Sequence, residues 1–188
     1  SGLYNDLVEL DAFTDSLAHR GPDGRGTYLN QEVGIGLGHR RLSVIDLSED
    51  GSQPMRGAGD IWITYNGEIY NYIEIRRELE SYGHRFSSQS DTEVILAAYA
   101  QWGSDCQMRF NGMWAFAIWD EPRRRLFLSR DRFGVKPLFY MLRGTDLYFA
   151  SELKAFLALR PSHRPAVNEA FIASLSDVES ATETMLRG

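Results

Sequence analysis

Tyr65-Asn66-Gly67-Glu68-Ile69-Tyr70-Asn71 is the stretch of this chain whose residue types could do chemistry. An Asn amide beside a Gly backbone N–H supplies two donors that can converge on one developing negative charge. The bare Gly lets its N–H approach a ligand closely. The carboxylate of Glu68 can grip a cation such as an ammonium. Asn-Gly is first of all a turn former, so by itself the stretch is a weak signal. It reads as a buried strand over 61–65 turning into a helix, with Asn66-Gly67-Glu68 held at the turn.

Other polar clusters accompany it in order along the chain. They are His19-Arg20-Gly21-Pro22-Asp23-Gly24, then Gly38-His39-Arg40-Arg41-Leu42-Ser43-Val44-Ile45-Asp46, then Ser90-Asp91-Thr92-Glu93. Downstream come Phe110-Asn111-Gly112-Met113-Trp114-Ala115-Phe116-Ala117, Arg130-Asp131-Arg132-Phe133-Gly134-Val135-Lys136-Pro137-Leu138, and Ser151-Glu152-Leu153-Lys154-Ala155. Standing alone, Arg41, Glu68 and Asp91 read as salt-bridge partners, and Asp91 as a helix-cap helper. The four histidines show no metal-ligand spacing with one another or with Cys106, so no metal site is expected. Cys106 itself reads as a small buried hydrophobe.

The elements that must position these groups follow from periodicity and punctuation. Leu7, Leu10, Thr14 and Leu17 fall at helical spacing after an Asn5-Asp6 cap. Hairpins are expected over 27–37 around Asn30-Gln31, over 113–129 across Asp120 to Arg124, and over 138–150 across Arg143 to Asp146. Helices are expected over 72–82, stopped by Gly83, and from Ser90 to Trp102-Gly103, with Ser90 and Glu93 at capping-box spacing. Further helices are expected over 152–159 and 167–175, and extended chain over 41–47. Hairpins carrying the sheets, with separate helices covering them, make the class α+β.

Bulk properties narrow the partners. The 188 residues suit one domain with a sizeable core, and a net charge of −6 leaves no basic excess for binding nucleic acid. A single cysteine permits no intrachain disulfide and points to a reducing, cytoplasmic setting. No apolar run approaches the roughly 18 residues of a membrane span, so no membrane partner is expected. No Gly-rich phosphate loop is present, which removes nucleotide binding from the expectations for this chain.

In register, the motifs strongly resemble the N-terminal glutaminase domain of glutamine-dependent asparagine synthetases. These are class II glutamine amidotransferases of the N-terminal-nucleophile hydrolase superfamily. The resemblance runs from about the first helix to about Leu159. It implies a four-layer αββα sandwich with two stacked antiparallel sheets over residues 1–160, and a linker or the start of a synthetase domain over 161–188. It implies that Arg41, helped by the backbone of Leu42, Ser43, Val44 and Ile45, binds the glutamine α-carboxylate. Glu68 and Asp91 would bind the α-ammonium, and Asn66 and Gly67 would form the oxyanion hole. A guanidinium fork suits a carboxylate, and a zwitterion needs a cation and an anion at fixed separation. The partners implied are L-glutamine and a C-terminal synthetase domain, which would hold ATP and magnesium; no cofactor is expected in this domain. Oligomeric state is not readable, and a homodimer is one arrangement the chain allows.

The sequence departs from that family at its start. The family begins Cys-Gly-Ile on a strand, the cysteine being the nucleophile and its own α-amine the base. This chain begins Ser1-Gly2-Leu3-Tyr4. Three readings stand: the sequence starts after that strand, which we favour; the domain is a non-catalytic relative that binds glutamine or docks; or Ser1 replaces the cysteine. As given, the chain is expected to be inactive. A glutaminase that donates ammonia to another acceptor is a further alternative. Arg20 and Asp131 read as loop-holding residues beside the site.

Overall fold

The computed structural model describes residues 7–42, 52–167 and 186–187. Its centre is an antiparallel sheet of β3 (Met55–Gly57), β4 (Ile61–Ile69), β5 (Gly112–Asp120) and β6 (Arg125–Arg130), in that spatial order. β4 alternates: Ile61, Ile63, Tyr65 and Ile69 are buried on one face. They pack against α2 (Tyr72–Ser81) and α3 (Asp91–Trp102) through Ile75, Leu79, Val94 and Ile95. The spacing of Ile75 and Leu79 gives α2 a single apolar face, and Gly83, at φ +91°, follows its C-terminus. Ser90 caps α3, its hydroxyl accepting the Thr92 N–H at 3.1 Å.

Trp62, Thr64, Asn66 and Glu68 point to the opposite face of β4 by the two-residue period of a strand. There they meet a hairpin of β1 (Gly24–Asn30) and β2 (Ile35–Arg41). Tyr28 stacks on Trp62 with ring centroids 4.0 Å apart, and the Thr64 hydroxyl donates to the Gly38 carbonyl at 3.2 Å. The other side of the hairpin lies on α1 (Leu7–Asp15), where Gly38 comes so close to the Thr14 side chain that a Cβ would overlap it. A second hairpin, β7 (Phe139–Arg143) with β8 (Asp146–Ala150), packs Met141, Tyr148 and Ala150 against Phe13, Leu17 and Phe156. The layers therefore run helices, sheet, hairpins, helix. Among the described residues the second sheet layer consists of these two hairpins.

Several local expectations need correction. Asn66-Gly67-Glu68 is not a turn: β4 continues to Ile69 because β5 pairs with it throughout, Gly67 opposite Trp114 and Ile69 opposite Gly112. Residues Leu153–Ala158 form a 3-10 segment, not an α-helix. Val167 belongs to a two-residue strand, β9 (Ala166–Val167), paired with β10 (Leu186–Arg187). Glu93 does not close a capping box on Ser90. It accepts instead from the N–H and hydroxyl of both Ser87 and Ser88, at 2.7–3.0 Å, which pins the loop before α3. The Asn5-Asp6 cap, residues 43–47 and residues 168–175 lie outside the described residues.

Candidate functional site

Between the two sheet layers lies a cavity of about 1530 Å³. It exceeds the roughly 300–1,000 Å³ of a small-molecule pocket, so the groups at one place in its wall define the site. Arg41, Leu42, Asn66, Gly67, Glu68 and Asp91 all line it. Ser43, Val44 and Ile45 fall outside the described residues.

Each group arrives from a different element. Arg41 ends β2, on the same side of the strand as Leu37 and His39, the side that faces β4. Its stem rests against Gly24, whose added Cβ would lie 3.2 Å from the Arg41 Cβ. Its carbonyl accepts the Asp23 N–H at 3.0 Å. Leu42 is exposed. Asn66 and Glu68 line the cavity from β4, and the Glu68 carboxylate makes no side-chain hydrogen bond among the described residues. Asp91 comes from the helix layer and reaches round the strand edge. Its Oδ2 accepts both the Tyr65 hydroxyl at 2.8 Å and the Ile69 N–H at 3.0 Å. Both bonds land on one oxygen, and among the described residues the other accepts none.

The absence of a side chain at Gly67 is a packing requirement. A Cβ there would overlap the Met113 carbonyl and come within 2.7 Å of the Tyr65 ring. Tyr65 is buried, and burial first, then the charge of Asp91, hold its phenol protonated far above the usual range. It therefore serves Asp91 as a permanent donor.

Tyr65, Gln53 and His39 join the site through contacts that cross between elements. The Tyr65 N–H donates to the Gln53 side-chain oxygen at 2.6 Å, and His39 Nε2 lies 3.1 Å from the Tyr65 carbonyl. With the strand expected to end at Tyr65 and Gly67 to lie in a turn, the two share no face; the continuation of β4 to Ile69 is what brings them together. The contacts of Gln53 and His39 cross between elements and leave no local signal. Cys106, by contrast, is fully buried in the core, and burial pushes its thiol up to about 12.

Arg20 and Asp131 bond to loop segments. Arg20 donates to the Ser151 carbonyl and to Glu152, both at 3.3 Å. Asp131 is buried and accepts the N–H groups of Trp114, Phe133, Val135 and Lys136 at 2.9–3.3 Å. Among the described residues no group of three His, Cys, Asp or Glu converges as a metal site, and no helix is long and apolar enough to cross a membrane.

Comparison with known proteins places the chain in a family. Over 159 residues the chain is 48% identical to asparagine synthetase [glutamine-hydrolyzing] 3 of Bacillus subtilis, covering 83% of this chain and 25% of the relative. It is 43% identical to putative asparagine synthetase [glutamine-hydrolyzing] 2 of Methanocaldococcus jannaschii, covering 81% and 32%. It is also 41% identical to amidase chry2 of Gibberella zeae, covering 81% and 23%. The chain thus spans about a quarter to a third of the length of these relatives. Among solved structures, the glutamine phosphoribosylpyrophosphate amidotransferase of B. subtilis aligns with a TM-score of 0.55 at 24% identity, over 65% of this chain and 29% of that one. That likeness is one of fold, an αββα sandwich. Residues 4–187 match the family described as glutamine amidotransferase domain, and the chain belongs to that family.

Proposed function

We propose that this chain is the glutaminase portion of a longer protein, hydrolysing L-glutamine to glutamate and ammonia for asparagine synthesis by a C-terminal ATP-dependent region. What supports this is one arrangement: Arg41 on β2 and Asn66, Gly67 and Glu68 on β4 share a cavity wall that Asp91 reaches from α3. A cation stands on one sheet layer and two carboxylates on or beside the other. That is the charge pattern of an α-amino acid's two ends.

In this reading Arg41 holds the α-carboxylate, with the backbone of Leu42, Ser43, Val44 and Ile45 assisting. Asp91 and Glu68 hold the α-ammonium. The side-chain amide then lies along β4, where attack on its carbon places negative charge on the carbonyl oxygen. The Asn66 side-chain N–H and the Gly67 backbone N–H donate to that oxygen. Each such donor is worth about 3–4 kcal/mol of barrier. The resemblance assigns the attack to an N-terminal cysteine thiol with its own α-amine as base, whose reference pKa values, about 8.5 and about 8, lie close. Cys106 is no substitute, being buried and unreactive. Residues 161–188 lead toward the synthetase region, which would hold ATP and magnesium.

The test is glutamine hydrolysis by the longer protein with its N-terminal cysteine. Release of glutamate from glutamine, abolished by replacing that cysteine, is the expected result. A protein that binds glutamine without hydrolysing it would be the silent relative. Hydrolysis without aspartate-dependent asparagine formation would redirect the ammonia to another acceptor.

A further inference from the structure

We infer that His39 is a positioning residue for the Asn66–Gly67 donors, acting through the Tyr65 carbonyl; the inference rests on the glutaminase reading above.

β3 begins at Met55, opposite Ile63, so beyond Ile63 that edge of β4 has no strand partner among the described residues. In an antiparallel strand every second residue directs its N–H and C=O to the same edge. Tyr65, Gly67 and Ile69 share this one. The Tyr65 N–H is taken by Gln53 Oε1 at 2.6 Å and the Ile69 N–H by Asp91 Oδ2 at 3.0 Å. The Gly67 N–H lies between them on the same edge. Its aim depends on how the strand is held there, because no ladder among the described residues fixes it.

His39 supplies one of the holds. A carbonyl only accepts, so the 3.1 Å contact requires the proton on Nε2, donated to the Tyr65 oxygen. That carbonyl belongs to the Tyr65–Asn66 peptide, so the bond sets the plane from which Asn66 departs. His39 also sits two residues before Arg41 on β2. One side chain therefore ties the strand bearing the carboxylate-binding Arg41 to the strand bearing the oxyanion donors, and sets their separation. Nδ1 is buried without a partner among the described residues. Protonating it would bury an unpaired charge near Arg41. Burial first, with Arg41 adding to it against the pull of the Tyr65 bond, lowers the imidazole pKa to about 4. The ring stays a neutral, fixed tautomer at working pH.

The experiment compares three variants in the longer protein. His39→Phe keeps a ring of similar size and removes the donor; kcat for glutamine should fall about tenfold with KM within about threefold. His39→Gln restores an N–H at similar reach and should recover most of the loss. Thr64→Val deletes a different bond between the same two strands and should leave kcat within about twofold. In the present chain the Gly67 amide resonance should shift in His39→Phe and return toward its position in His39→Gln, a readout that needs no catalysis. An unmoved Gly67 amide, or His39→Gln no better than His39→Phe when both are folded, overturns the inference. A wild-type protein that does not hydrolyse glutamine would instead sink the glutaminase reading, and the amide shift would still be measurable.

Discussion

The Tyr65 ring occupies the space a side chain on Gly67 would need. A Cβ at Gly67 would stand 2.7 Å from the ring, and the ring's hydroxyl reaches Asp91 Oδ2 at 2.8 Å. The missing side chain at one proposed oxyanion residue is thus what lets a tyrosine orient a proposed ammonium ligand. The two halves of the candidate site are mechanically one unit.

Tyr65→Phe tests that unit gently. It removes one hydrogen bond to Asp91 and nothing else, a change worth about 1.5–3 kcal/mol when the acceptor is charged. Glutamine binding should weaken about 10–150-fold while the protein stays folded. Titration calorimetry on folded protein reads this directly, and unchanged affinity would show that Tyr65 does not orient the carboxylate.

Asn66→Ala should lower kcat for glutamine in the longer protein by about 10²–10³-fold and leave KM nearly unchanged. Steady-state kinetics separates the two parameters. A change confined to KM would mean that Asn66 binds the ground state and is not an oxyanion donor.

Arg41→Ala should raise KM for glutamine by at least about tenfold, and Arg41→Lys should recover little, because a point charge does not replace a fork. Ammonia supplied directly should still be used at the wild-type rate. Loss of both activities would indicate damage to the fold.

Stability should respond to acid through Asp131. Burial works against its charge, but the N–H groups of Lys136, Val135, Trp114 and Phe133 hold its pKa below the usual carboxylate range. Its contribution is present above the unfolded value of about 3.9 and is lost as pH falls through the lower folded value. Asp131→Ala should cost about 2–3 kcal/mol near neutral pH. The gap to wild type should narrow toward pH 3 in denaturant melts. A gap that stays constant with pH would place the cost in packing.

Much of this was legible in the sequence for physical reasons. The hairpin turns expected around Asn30-Gln31 and across Asp120 to Arg124 announced themselves by composition, although Asn30 stays in β1 and β2 starts only at Ile35, and Ile75 with Leu79 marked the inner face of α2. Arg41, Glu68 and Asp91 could be named as one set only through the order of the motifs, since their convergence depends on three separate elements. Asn66-Gly67 misled locally: its turn preference is overridden by the pairing of β4 with β5 through Ile69 and Gly112. Glu93 sat at capping-box spacing, yet Ser87 and Ser88 offered it four donors and won. His39 and Gln53 were invisible because the groups they bind are backbone atoms of a strand distant in sequence.

The most direct measurement is calorimetric titration of this chain with L-glutamine and with two analogues, one lacking the α-amine and one lacking the α-carboxylate. A site built from Arg41 facing Glu68 and Asp91 predicts saturable binding of glutamine and at least about tenfold weaker binding of each analogue. Arg41→Ala should erase the penalty for losing the carboxylate, and Asp91→Asn should shrink the penalty for losing the amine. Equal affinity for all three ligands, or no glutamine binding by folded protein, would contradict the assignment of this cavity to an amino-acid substrate.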